Sequence, residues 1–334
     1  MLESVAGRTV LVTGADGFIG SHLAEALVSR DADVRVLVMY NAFGLSGWLD
    51  ELPAEVKAKL EIVAADIRDP HLMEEALRGV DIVYHLASLI AVPFSHRSPD
   101  SYVDTNVKGT LNILQAARLH NVSHVVHTST SEVYGSAQYV PMDEKHPLVA
   151  RSPYAATKIA ADQLAISFYC SFGMPVTIIR PFNTYGPRQS ARAIIPTIIT
   201  QLLTGQSAVK LGSLTPSRDF TYVSDIVEGF LAAAGNDRTI GEVIQLGSGS
   251  EISIGELVRK IAGLMEIDAT VQTDPQRVRP VSSEVDRLLC DHSKAERMLN
   301  WTPRVSLDDG LRLTINWLAD HRNLPGYRAD RYMM

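Results

Sequence analysis

The stretch Thr9–Leu23, TVLVTGADGFIGSHL, decides the fold. Its first five residues are apolar and β-rich, and glycines follow at positions 14, 17 and 20. A helical pattern then runs from about Phe18 to Arg30. Glycine at the turn lets the backbone approach a pyrophosphate, and the helix start aims free N–H groups and a positive dipole end at it. Three spaced glycines alone mean little. A strand before them and a helix after them, inside a βαβ unit, is the context that gives them meaning. The expectation is a dinucleotide cradle built from Gly14, Gly17, Phe18, Ile19 and Gly20.

Outward from that unit, strands and helices alternate. Strands are expected at Val34–Met39, Leu60–Ala64, Ile82–Leu86, Val122–Thr128 and Val176–Ile179. Val103, Val107, Leu111, Leu114 and Ala117 recur at helical spacing, and a second long helix runs from Pro153 to about Phe172. Such alternation implies a parallel sheet covered on both faces, an α/β doubly wound Rossmann arrangement. After Pro181 prolines and glycines thicken. Helices are expected at Ala193–Leu203, Val223–Ala234, Ile254–Met265 and Leu307–Asp320, with one more sheet strand at Glu242–Leu246. We therefore expect a Rossmann domain over residues 1–180, rejoined by 220–248. A smaller C-terminal α/β substrate domain would comprise 181–219 and 249–334.

Bulk properties narrow the partners. The chain has 334 residues, 46% hydrophobic and 21% charged, enough for a sizeable core. Its formal charge of −7 argues against a nucleic-acid binder, which would normally be basic. Two cysteines, Cys170 and Cys290, suggest neither a disulfide framework nor a metal site, so a reducing compartment is expected. None of the ten histidines pairs with other ligands at zinc spacing, and His85 and His127 read as structural. Neither a secretory leader nor an apolar run of about 18 residues stands out, so the expectation is a cytoplasmic protein with no membrane segment.

Two groups of residues carry the chemistry. Tyr154 and Lys158 are one helical turn apart and share a face. An ammonium beside a phenol stabilises the phenolate and lowers its pKa, making tyrosine usable as a base near neutral pH. The fifth strand ends in HTSTSEVYG, and ligands of open α/β sheets bind beyond the carboxyl ends of strands. Thr130, Ser131 and Glu132 should therefore face the site. The ribose reader is open: VLVMYNAFG, after the second strand, offers neither acid nor base. Asn41 could touch the ribose, and Asp66 the adenine. The missing base favours NAD and leaves NADP open. Guanidinium forks suit phosphate oxygens, and Arg188, Arg192, Arg218 and Arg279 are the candidates in the looser half to grip an anionic ligand.

With these motifs on the page, the chain resembles the extended short-chain dehydrogenases/reductases over nearly its whole length. The matching stretches are TGADGFIG, HLAS (85–88), NVKGT (106–110), STSEVYG (129–135), SPYAATK (152–158) and RPFNTYGPR (180–188). The resemblance implies that Ile67, Leu86, Ala87, Ser88, Asn106, Thr128 and Pro181 join Tyr154 and Lys158 around the cofactor. It also implies that Arg218 and Arg279 flank the substrate pyrophosphate near Asn183. Thr130–Ser131–Glu132 resembles the motif of nucleotide-sugar 4,6-dehydratases, in which the glutamate is the base at carbon 5. Residues 279–301 are similar to the C-terminal signature of GDP-mannose 4,6-dehydratases, and the whole looks most like NAD-dependent 4,6-dehydratases of the legionaminic acid pathway. The implied substrate is UDP- or GDP-linked N-acetylglucosamine. The rivals are a UDP-glucuronate decarboxylase, a nucleotide-sugar epimerase and a non-catalytic cofactor-sensing binding protein. The resemblance also implies a homodimer, built on the helices over Tyr102–His120 and Pro153–Phe172.

Overall fold

A computed structural model describes residues 5–206, 208–278, 281–320 and Tyr327. Six strands form the N-terminal part: β1 (Thr9–Thr13), β2 (Asp33–Val38), β3 (Leu60–Ala64), β4 (Ile82–His85), β5 (His124–Thr128) and β6 (Val176–Pro181). Six more follow: β7 (Asn183–Tyr185), β8 (Ala208–Leu211), β9 (Ser217–Tyr222), β10 (Val243–Leu246), β11 (Glu251–Ser253) and β12 (Thr270–Thr273). Seven strands make one parallel sheet in the order β10-β6-β5-β4-β1-β2-β3. The order reverses at β1, which places a crevice at the carboxyl ends of β1 and β4, where such folds bind ligands.

The sheet forms where the sequence expects it because its central strands β1, β4, β5 and β6 are buried on both faces. On β1, Val10 and Val12 join one buried cluster while Leu11 joins the other. The same alternation puts Ile82 and Tyr84 on the first face and Val83 on the second. Each such side chain contributes about 1.5–3 kcal/mol by leaving water. Helix ends are held by specific caps. Ser152 accepts from Ala155 N–H at 3.1 Å at the start of the Pro153–Phe172 helix, and Gly173, at φ +65°, closes it. Ser253 and Glu256 form a reciprocal capping box on Ile254–Leu264.

Several expectations shift. The helix expected across Val103–Ala117 is interrupted: Val103–Lys108 widens into a π-helical turn before Gly109–Leu119 resumes α geometry. Here Asn106 turns inward, and such widened turns gather at functional sites. In the looser half, β7, β9 and β11 form a small mixed sheet, and β8 pairs with β12. Sequence reading gave none of these short strands. Residues 243–246 do join the large sheet beside β6, whereas 217–222 belong to the small one. The tail from about Asn323, whose weak periodicity in the sequence leaves open whether it moves or docks on a partner, lies outside the described residues except for Tyr327. Its hydroxyl donates to the Gln189 carbonyl at 2.5 Å.

Candidate active site

One cleft of about 800 Å³ runs across the carboxyl ends of the strands and into the C-terminal half. At its base lies the glycine turn. Gly14 sits at φ +69°, and a Cβ there would come within 2.8 Å of the Ala87 backbone, so only glycine lets the turn lie against the end of β4. A Cβ on Gly17 would meet only the Gly14 carbonyl, at 3.2 Å, so its open side faces the cleft. Phe18, Ile19 and Gly20 continue the lining at the start of the Phe18–Val28 helix. This bare backbone cradle fits a dinucleotide pyrophosphate.

Thr13 organises the neighbouring loop. Its hydroxyl accepts the N–H groups of Leu86 and Ala87, both at 3.1 Å, and bonds His85 Nδ1 at 2.8 Å. The other His85 nitrogen bonds Thr110 at 3.0 Å, so this histidine is structural. Leu86, Ala87, Ser88, Asp66, Ile67, Thr128 and Pro181 all line the cleft. Asn106 does not. It is buried, its side-chain oxygen accepts from Leu89 N–H and Ser88 Oγ, and its amide donates to Thr157 at 3.0 Å. It shapes the loop that others present.

The reacting end gathers the expected residues. Thr130, Ser131, Glu132, Tyr154 and Lys158 line one wall. Thr130 caps the short turn Ser131–Tyr134, accepting from Glu132 N–H at 3.2 Å, and hydrogen-bonds the Tyr154 phenol. Glu132 is close enough to act electrostatically on that phenol. Lys158 is buried and donates to the Thr128 carbonyl at 2.5 Å. Burial lowers it to about 8, with Asp162 opposing. One expectation is corrected here. Burial pushes the Tyr154 phenol well above its usual range instead of lowering it, and the hydrogen bond from Thr130 opposes that rise only in part.

Asn183, Arg192 and Arg218 line the far part of the cleft. Arg218 is buried, 3.6 Å from Glu284, and donates to the Ser217 carbonyl at 2.9 Å. Arg188 is a correction: it is not on the cleft wall but pairs with Glu25 at 2.8 Å, tying its loop to the first helix. Asn41 is another. Its oxygen accepts Phe43 and Leu45 N–H at 3.1 Å, and its amide donates to the Leu45 carbonyl, so it builds its own loop. Arg279 lies outside the described residues. Sequence reading missed Asp16, Arg277 and Glu284, which all line the cleft. Asp16 sits inside the glycine motif, and Arg277 stands two residues before Arg279 in one basic run.

Residues 11–314 match the family model described as GDP-mannose 4,6 dehydratase. The chain is 35% identical to a UDP-N-acetyl-alpha-D-glucosaminuronate decarboxylase from Bacillus cytotoxicus, over 95% of this chain and 99% of the relative. Among solved structures, DesIV, a dTDP-glucose 4,6-dehydratase from Streptomyces venezuelae solved with NAD bound, superposes with a TM-score of 0.87. It is 33% identical and covers 94% of this chain and 98% of its own. A UDP-glucuronic acid 4-epimerase from Bacillus cereus, solved with UDP-glucuronic acid and NAD, gives a TM-score of 0.85 at 31% identity. It covers 93% of this chain and 99% of its own. Relatives this similar to the chain carry the names of three different reactions, so family membership leaves the reaction open. The chain belongs to the extended short-chain dehydrogenase/reductase family of NAD-dependent nucleotide-sugar epimerases and dehydratases.

Proposed function

We propose that this protein is a 4,6-dehydratase of a nucleotide-diphosphate hexose, with UDP- or GDP-linked N-acetylglucosamine as substrate. The observation that carries this reading is Glu132 standing with Thr130 and Tyr154 on one wall of the cleft. Oxidation and return at carbon 4 alone would need a hydroxyl, a phenol and an ammonium. A carboxylate among them serves a second proton transfer.

Held against the glycine turn of Gly14 and Gly17, NAD⁺ would supply the acceptor for the hydride of sugar carbon 4 and the donor that carries it to carbon 6. Thr130 orients the 4-hydroxyl and Tyr154 takes its proton, while the Lys158 ammonium offsets the phenolate charge. The new ketone acidifies the hydrogen on carbon 5, and Glu132 removes that proton. Residue 131 is a buried serine, not an acid, so Glu132 itself passes the proton to the carbon 6 hydroxyl, which leaves as water. A solvent proton then adds to carbon 5 as the hydride reaches carbon 6, and Tyr154 releases to solvent the proton it took, which restores the base. The product is the 4-keto-6-deoxy sugar, one water lighter. Arg192, Arg218 and Asn183 hold the diphosphate; Arg279 belongs to the same set by resemblance. The same reading makes the protein a homodimer. Exposed Val103, Leu119, Tyr169 and Phe172 supply apolar surface on the two helical segments that would pack.

The test is to incubate the enzyme with UDP- and GDP-linked N-acetylglucosamine, mannose and glucuronate and weigh the products. Loss of water is expected. Loss of carbon dioxide, or an unchanged mass with inverted stereochemistry, would overturn the assignment.

A further inference from the structure

The adenosine end of the cleft poses a question that its own strand does not answer. In this kind of fold an acidic residue about 20 positions after the glycine turn, at the tip of β2, accepts the ribose 2′-hydroxyl of NAD, and a basic one admits the 2′-phosphate of NADP. Here β2 ends at Val38, and Met39 and Tyr40 follow it. Asn41 is occupied in its own loop. A carboxylate nevertheless stands at that tip. Asp16, from the glycine turn itself, accepts the Met39 N–H at 3.3 Å and lines the cleft beside Met39.

Its position is held from behind. The Asp16 carbonyl accepts Trp48 N–H at 3.1 Å. Gly47, at φ +60°, lies so close that a Cβ there would approach the Asp16 carbonyl to 2.5 Å. The turn at Gly47–Glu51 thus packs on Asp16 and aims it at the end of β2. Burial also raises the carboxyl above its usual range, as expected of an acceptor that has lost water and gains from a new donor. Of the described residues between 9 and 76, none that lines the cleft is a lysine or arginine. Its charged groups there are the carboxylates Asp16 and Asp66, and Asp66 is already gripped by Arg68.

We propose that Asp16, reaching from the glycine turn to the tip of β2, takes the place of the missing β2 acid, accepts the adenosine ribose 2′-hydroxyl and so makes the protein select NAD over NADP. A 2′-phosphate would meet this carboxylate with no lysine or arginine among the described residues that line this end of the cleft, the nearby Arg68 being held by Asp66. The assignment concerns the cofactor alone and holds whichever sugar reaction follows, so its failure would leave the dehydratase reading intact.

The experiment is calorimetric titration of the full-length protein with NAD⁺, NADP⁺ and 2′-deoxy-NAD⁺, in the wild type and in Asp16→Asn. The wild type is expected to prefer NAD⁺ to NADP⁺ by about 100-fold or more, since like charges brought together cost several kcal/mol. It should bind 2′-deoxy-NAD⁺ about tenfold more weakly than NAD⁺, the worth of one charge-assisted hydrogen bond. In Asp16→Asn both ratios should shrink about tenfold, with thermal unfolding confirming a folded protein. Equal wild-type affinity for NAD⁺ and 2′-deoxy-NAD⁺ would overturn the proposal without any variant. So would unchanged ratios in folded Asp16→Asn, or ratios that collapse in Asp66→Asn instead. Asp16→Ser provides the same comparison if the asparagine variant does not fold.

Discussion

The Asp162 carboxylate, fully buried one helical turn beyond Lys158, accepts two hydrogen bonds from the Arg180 guanidinium, at 2.9 and 3.1 Å. Ser129 donates to the same oxygen at 2.8 Å, and His127 Nε2 stands 3.4 Å from the other. A buried negative charge under a buried ammonium opposes the fall in the lysine pKa that burial imposes. These charges form one buried assembly, from Arg180 on β6 to Lys158 on the helix.

Replacing Asp162 by Asn should therefore move Lys158 further down from about 8. The ammonium is lost as pH rises through its pKa, so the alkaline limb of kcat should shift acidward by about one pH unit or more. The variant should also lose about 3–5 kcal/mol of stability, because Arg180 is left buried without its counter-charge. A pH–rate profile and urea unfolding check the two effects separately.

Lys158 also links stability to pH. Its folded pKa, about 8, lies below the ordinary 10.5. Between those values the unfolded chain keeps a proton that the folded one has released, so stability should rise with pH through this window. Below about pH 8 both states are protonated and this contribution is flat. Urea midpoints across the window should show the slope in the wild type, and Lys158→Met should lose it.

Glu132→Gln separates oxidation from elimination. The phenol and its Thr130 partner are untouched, so the variant should still transfer the carbon 4 hydride, seen as reduced-nicotinamide absorbance in a single turnover. Release of the dehydrated sugar should fall by about 10²–10⁴, the usual worth of a positioned general base.

With serine at 131, the proton that Glu132 removes leaves with the carbon 6 hydroxyl. Product formed in deuterium oxide should then carry one deuterium at carbon 5, read by proton NMR. Retention of the substrate hydrogen there would show that Glu132 keeps its proton and that another group protonates the leaving hydroxyl.

The arginines should divide by the structure and not by the sequence. Arg188→Ala breaks a partly exposed pair with Glu25, so it should cost up to about 1 kcal/mol of stability and leave KM unchanged. Arg218→Ala removes a buried guanidinium from the cleft wall and should raise KM about tenfold or more, the cost of a lost charge-assisted contact to phosphate. Steady-state kinetics and thermal melts of the two variants distinguish them.

The Rossmann core was legible in the chain alone because its determinants are local. Thr9–Thr13, Leu60–Ala64 and Pro153–Phe172 have the bounds their patterns imply, since strand apolarity, glycine turns and caps act within a few residues. Thr130, Glu132, Tyr154 and Lys158 were legible for a related reason: strand ends and helical spacing place them without knowledge of distant contacts. Folding alone decided where long-range partners compete for a side chain. Asn41 looked free to bind a ribose but closes its own loop, while Asp16, unremarked among the glycines, is carried to the tip of β2. Arg188 was one arginine among several until Glu25, 163 residues away in sequence, claimed it. The Lys158 ammonium turned to the Thr128 carbonyl, an outcome that helical spacing cannot specify. Hydrogen bonds and ion pairs go to whichever group the packed chain brings within about 3 Å, and no local pattern encodes that choice.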